Sequence, residues 1–153
     1  MKRSSRSLFL LLLVYWLTIF VLTHTPAEDL PRVEINDKLE HFLAYGLLGG
    51  LLYLCFWSIS PPRRDMSWIV LLIGMSYGAL DEIIQMIPIL HRSAEIADWM
   101  ADTTGLAIAV GCMGALRAYS VRRKWAVGLI DAAGEEMRPP GTRQRRNSFW
   151  KIV

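Results

Sequence analysis

Four long apolar runs dominate this chain: SLFLLLLVYWLTIFVLT (7–23), LEHFLAYGLLGGLLYLCFW (39–57), SWIVLLIGMSYGALDEIIQM (67–86) and ADTTGLAIAVGCMGALRA (101–118). Crossing ~30 Å of hydrocarbon at ~1.5 Å per residue takes about 20 residues. The second and third runs meet that length. The first and fourth fall slightly short, by an amount that local bilayer thinning or helix packing absorbs. With 53% hydrophobic residues and a mean hydropathy of +0.29, the 153-residue chain is too apolar for an ordinary soluble domain of its size. The expected fold class is all-α: an integral membrane bundle of four transmembrane helices within residues 1–118, then a basic, partly disordered cytoplasmic tail over 119–153. MKRSSR, the first apolar run and THTPA also fit a signal peptide cleaved after Ala27. Tyr15, Trp16 and Thr18 interrupt that run and favour a retained helix.

Charge sorts the two faces. With a cytoplasmic N-terminus, fourteen of the seventeen Lys and Arg residues fall inside, leaving Arg32, Lys38 and Arg92 outside. That is a strong positive-inside bias and predicts both termini inside. Ten of the fourteen acids, and all three histidines, fall on the outer side. The pI of about 9.1 therefore reports topology and contact with anionic head groups, not nucleic-acid binding. Residues 123–137 read as a short interfacial helix, weakened by Gly128 and Gly134. Cys55 and Cys112 lie in apolar runs with no bridging or metal-ligand spacing, so no disulfide framework is expected.

The polar residues inside the apolar runs carry the functional signal. In GALDEIIQ (78–85), Asp81, Glu82 and Gln85 sit in the outer third of the third helix. Together with Gly74 and Gly78 they follow i, i+4, i+7, i+8, i+11, a single helical face. Lys38, His41, Tyr45 and Gly49 share a face of the second helix, flanked by Asp37 and Glu40. Asp98, Asp102, Gly105 and Ala109 do the same on the fourth. Each helix thus places polar groups outward and small residues below them, where backbones can approach closely. Ionisable groups at membrane depth face the bundle interior or a wet cavity and mark a functional site by default. The candidate ligand-binding set is Lys38, His41, Tyr45, Glu82, Gln85, Arg92, Asp98 and Asp102, with Asp37 and Asp81 beside it. The structural alternative is that Lys38, His41 and Arg92 neutralise Glu82, Asp98 and Asp102 and so pin three helix ends together.

DKLEHFLAYGLLG (37–49), GALDEIIQ (78–85) and HRSAEIADWMADTTG (91–105) resemble the VanZ-like family of small bacterial membrane proteins, over residues 37–118. The residue types recurring in that family map onto Asp37, Lys38, His41, Tyr45, Glu82, Gln85, Arg92, Asp98, Asp102 and Gly105. PILHR stands here where many relatives carry a glycine before the arginine. The resemblance implies a bacterial inner-membrane protein of the cell envelope. The family's name-giving member lowers susceptibility to the glycopeptide antibiotic teicoplanin.

Two classes of function follow. The first is a non-catalytic envelope protein whose outward pocket binds a head group, such as that of a lipid-linked wall or surface-glycan intermediate, or alters how an antibiotic reaches its target. Arg92, Lys38 and His41 suit phosphate or carboxylate. The acids and Gln85 suit sugar hydroxyls or ammonium groups. The second is an intramembrane hydrolase or transferase acting on such a lipid, with Glu82 or Asp102 as general base, His41 as acid and Arg92 stabilising developing charge. No HExxH, phosphate loop, nucleophile elbow or dinucleotide fingerprint occurs. No cofactor and no metal are expected, although His41, Glu82, Asp98 and Asp102 are residue types that ligate hard cations. A transporter is a weaker third reading, since four helices without an internal repeat make a small bundle.

Overall fold

The structure, a computed structural model, describes residues 3–26, 36–61, 64–88 and 94–137, and these are all-helical: α1 (Arg3–His24), α2 (Asp37–Ile59), α3 (Ser67–Gln85) and α4 (Ile96–Glu136). Each is long and apolar enough to cross a bilayer. Arg92, His91 and the tail from residue 138 lie outside the described residues.

The helix ends are written locally. Asn36 caps α2, its side chain accepting from the Lys38 backbone N–H at 3.0 Å, and Asp37 and Glu40 place negative charge in the first turn. At the other end the Ser60 hydroxyl donates to the Phe56 carbonyl, and Pro61 follows where a helix cannot continue. Asp65 accepts from both the backbone and the hydroxyl of Ser67 at the start of α3.

Residues 1–116 form one unit and 117–153 a second. Within the first, all four helices build the core, around Leu12, Ile19, Tyr45, Leu48, Leu52, Tyr53, Val70 and Val110. The Tyr15 hydroxyl of α1 donates to the Ala44 carbonyl of α2 at 3.0 Å, and Trp16 meets Tyr77 of α3 edge-to-face at 5.0 Å. These contacts make α1 a working wall of the bundle. α4 enters through small residues. Leu106 is completely buried where both Gly49 and Gly74 leave space for its side chain. A Cβ on Gly105 would collide with the Phe42 carbonyl oxygen, so α2 and α4 touch backbone to backbone at that point.

In the second unit, α4 carries Arg122, Arg123 and Lys124, then exposed Trp125, Leu129 and Ile130. The fourth helix is therefore longer at both ends than the apolar run 101–118. Hydropathy falls after Arg117, but nothing in the sequence stops the helix until Glu136. The segment read as a separate interfacial helix is its continuation, and Gly128 and Gly134 do not interrupt it.

Candidate functional site

The buried residues of α3 are Val70, Gly74, Gly78, Asp81, Glu82 and Gln85, the face that the spacing of its small and polar residues predicts. That face meets α2 and α4 at the end of the bundle where α2 and α4 begin. Three polar groupings form there.

The first is a lysine fork. Lys38 Nζ donates to Asp98 Oδ1 at 2.5 Å, Glu95 Oε2 at 2.8 Å and Asp37 Oδ2 at 3.4 Å. Lys38 stays partly exposed while Asp98 is buried, so the fork closes the rim of the site. The second grouping surrounds Asp81, which is 1% exposed. The Thr23 hydroxyl of α1 donates to Asp81 Oδ1 at 2.9 Å, Gln85 Nε2 donates to Oδ2 at 3.3 Å, and His24 Nδ1 stands 3.7 Å from Oδ1. Both Asp81 oxygens therefore have partners.

The third grouping is His41, Glu82 and Asp102. His41 Nδ1 lies 2.9 Å from Asp102 Oδ1, with both side chains buried. Glu82 Oε2 accepts the backbone N–H of Glu95 at 2.9 Å, tying α3 to the residue that precedes α4. One ligand-capable atom from each of the three residues lies within 4.8 Å of the other two. Glu82 Oε1 and Asp102 Oδ2, in side chains 7% and 1% exposed, have no hydrogen-bond partner among the described residues. Gly78 makes room for this convergence. A Cβ there would stand 3.2 Å from the Tyr45 ring and 3.4 Å from both Asp102 Oδ2 and the Trp99 ring. Trp99 is itself held by its indole N–H, which donates to the Met75 carbonyl at 3.2 Å.

Seven of the eight candidate residues thus lie at one end of the bundle: Lys38, His41, Tyr45, Glu82, Gln85, Asp98 and Asp102. Arg92 falls outside the described residues. The structure adds Thr23, His24, Glu95 and Trp99, and makes Asp81 a full member. Thr23 and His24 were hidden because α1 otherwise reads as plain lipid-facing apolar helix. Their signal was positional, since two polar residues end α1 at the end of the bundle where Asp81 lies near the end of α3.

The fold and this polar end define a multi-pass helical membrane protein with a buried, carboxylate-rich cluster shared by all four helices. A family model described as VanZ/LLP1 matches residues 7–117, and the chain belongs to the VanZ/LLP1 family. The match takes in α1 as well as the three motif-bearing helices. No curated protein and no solved structure matches the chain.

Proposed function

We propose that the polar end faces outward from a bacterial inner membrane and binds the head group of a lipid-linked envelope component. The orientation is supported by the fourteen-to-three distribution of Lys and Arg. The binding reading is carried by one observation, the buried oxygens of Glu82 and Asp102 that have no partner among the described residues. In a cluster serving only to pin helices the carboxylates close their hydrogen bonds, as Asp81 and the acids of the Lys38 fork do. A buried acceptor left unsatisfied costs about 1–3 kcal/mol, and replacing it with an apolar group of the same shape removes that penalty. A hydroxyl or ammonium donor from a sugar or amine head group satisfies both oxygens. Between α2 and α4 a largely apolar groove of about 560 Å³, lined by Lys38, Phe42, Met100 and Thr104 among others, opens beside the lysine fork. An acyl or polyprenyl chain lying in that groove brings its head group to the rim of the cluster. Altered glycopeptide susceptibility follows if the bound component is one on which such an antibiotic acts.

The test is a native mass spectrum of protein gently extracted from its own membrane, beside Glu82→Gln, Asp102→Asn and Arg92→Ala. A retained lipid adduct that the variants lose supports the reading. No adduct in any form, or one unchanged in all three variants, refutes it. The second reading, an intramembrane hydrolase or transferase, is favoured by the His41–Asp102 contact, in which a carboxylate orients an imidazole. Turnover of an extracted lipid fraction that His41→Gln abolishes distinguishes it from binding alone.

A further inference from the structure

We propose that His41, Glu82 and Asp102 hold one divalent first-row cation, Mn²⁺ or Zn²⁺, at the centre of the cluster. The three side chains come from α2, α3 and α4, and one ligand atom of each already lies within 4.8 Å of the other two. Ligands around a small divalent ion stand on the order of 3–4 Å apart, so the trio needs to close by an ångström or so. The two oxygens without partners among the described residues, Glu82 Oε1 and Asp102 Oδ2, belong to two members of this trio and to residues more than nine-tenths buried. The charge balance points the same way. Lys38 is shared among Asp37, Glu95 and Asp98, which leaves His41 as the one basic group in contact with Asp102 among the described residues. Among the described residues Glu82 accepts one hydrogen bond, from a neutral backbone N–H. Buried carboxylates are paired or bind metals.

The donor set selects the ion class. One imidazole nitrogen with two carboxylates suits Mn²⁺ or Zn²⁺, whereas Mg²⁺ and Ca²⁺ favour all-oxygen sites. The site has no thiolate donor: Cys55 lies fourteen residues along α2 from His41 and Cys112 ten along α4 from Asp102, roughly 21 and 15 Å at the helical rise. A second trio, Asp37, His41 and Asp98, has similar spacing. Its acids are already engaged by Lys38, and Asp37 is exposed, so it competes poorly. Three protein ligands leave coordination positions open. Filling one with a phosphoryl oxygen would let an acid-rich cluster accept an anionic head group; this role rests on the head-group reading, whereas binding of the ion does not.

Chelator-treated full-length protein in detergent is titrated with Mn²⁺, and bound ion is read by electron paramagnetic resonance with Zn²⁺ as competitor. Expected are one saturable site per chain, displacement by Zn²⁺, and a loss of affinity of roughly tenfold or more in Glu82→Gln and Asp102→Asn. Asp131→Asn, at an exposed acid of the second unit, binds within a few-fold of wild type. Spin-echo spectra of the Mn²⁺-loaded wild type show imidazole nitrogen coupling that changes when histidine is labelled with ¹⁵N. That measurement needs no variant to fold. No saturable binding below about 1 mM, or no nitrogen coupling, overturns the proposal. So does a site lost in Asp98→Asn and kept in Glu82→Gln. Ion binding without a lipid adduct defeats the head-group reading alone; an adduct without ion binding defeats the cation alone.

Discussion

Gly105→Ala places a methyl group where the Phe42 carbonyl oxygen already sits, with Phe42 C at 2.9 Å and Gly46 N at 3.2 Å from the new atom. All three obstructing atoms are backbone, so no side-chain rotation relieves the clash and α4 must move away from α2. Overpacking typically costs 1–3 kcal/mol, and a backbone obstruction belongs at the upper end, about 3 kcal/mol. Alanine recovers up to ~1 kcal/mol of helix propensity, leaving a net loss of about 2 kcal/mol. At Gly111, on the same helix, an added methyl group would meet nothing within 4 Å, so Gly111→Ala gains the propensity alone. Two chemically identical substitutions six residues apart should therefore differ by about 3 kcal/mol, roughly two powers of ten in the unfolding equilibrium. Unfolding in mixed SDS micelles, followed by tryptophan fluorescence, reads that difference. Because Asp102 lies one turn from Gly105, the displaced helix should also lose the His41–Asp102 contact and with it any ligand. Equal unfolding midpoints for the two variants would refute the packing reasoning.

Other outcomes follow from named contacts. Leu106→Ala should destabilise by roughly 2–5 kcal/mol in the same assay, since the side chain is fully buried between Gly49 and Gly74. Thr23→Val removes a donor to the buried Asp81 and should cost roughly 1.5–3 kcal/mol, a loss expected only if α1 is part of the working bundle. In a background with Cys55→Ala and Cys112→Ser, an impermeant maleimide added outside intact cells should label Glu95→Cys and spare Arg64→Cys. The reverse pattern would invert the proposed orientation.

The buried face of α3 was legible because glycines and polar residues share a helical spacing, and a single helix suffices to compute that. The same held for His41 and Tyr45 on α2 and for Asp98 and Asp102 on α4. The pairings were not legible. Sequence spacing places His41 and Lys38 on one face without saying that His41 meets Asp102 while Lys38 meets Asp98, because the axial offset between helices is set by contacts such as Gly105 against Phe42. Glu95 escaped notice for a related reason, as its backbone N–H is what Glu82 receives and no side-chain pattern encodes that bond. The continuation of α4 past Arg117 was hidden because hydropathy marks where a helix leaves the membrane, not where it ends.

The central claim is that the cluster is kept for a ligand at some expense of stability, and the unfolding free energy of Glu82→Gln tests it most directly. Glutamine keeps the shape and the oxygen that accepts the Glu95 N–H, while removing a buried charge whose other oxygen has no partner among the described residues. Ligand-free Glu82→Gln should be as stable as wild type or more stable, by up to about 1–3 kcal/mol, and should have lost its ligand. A loss of roughly 3–5 kcal/mol, the signature of breaking a buried ion pair that holds the fold, would contradict the claim and make the cluster a structural clasp.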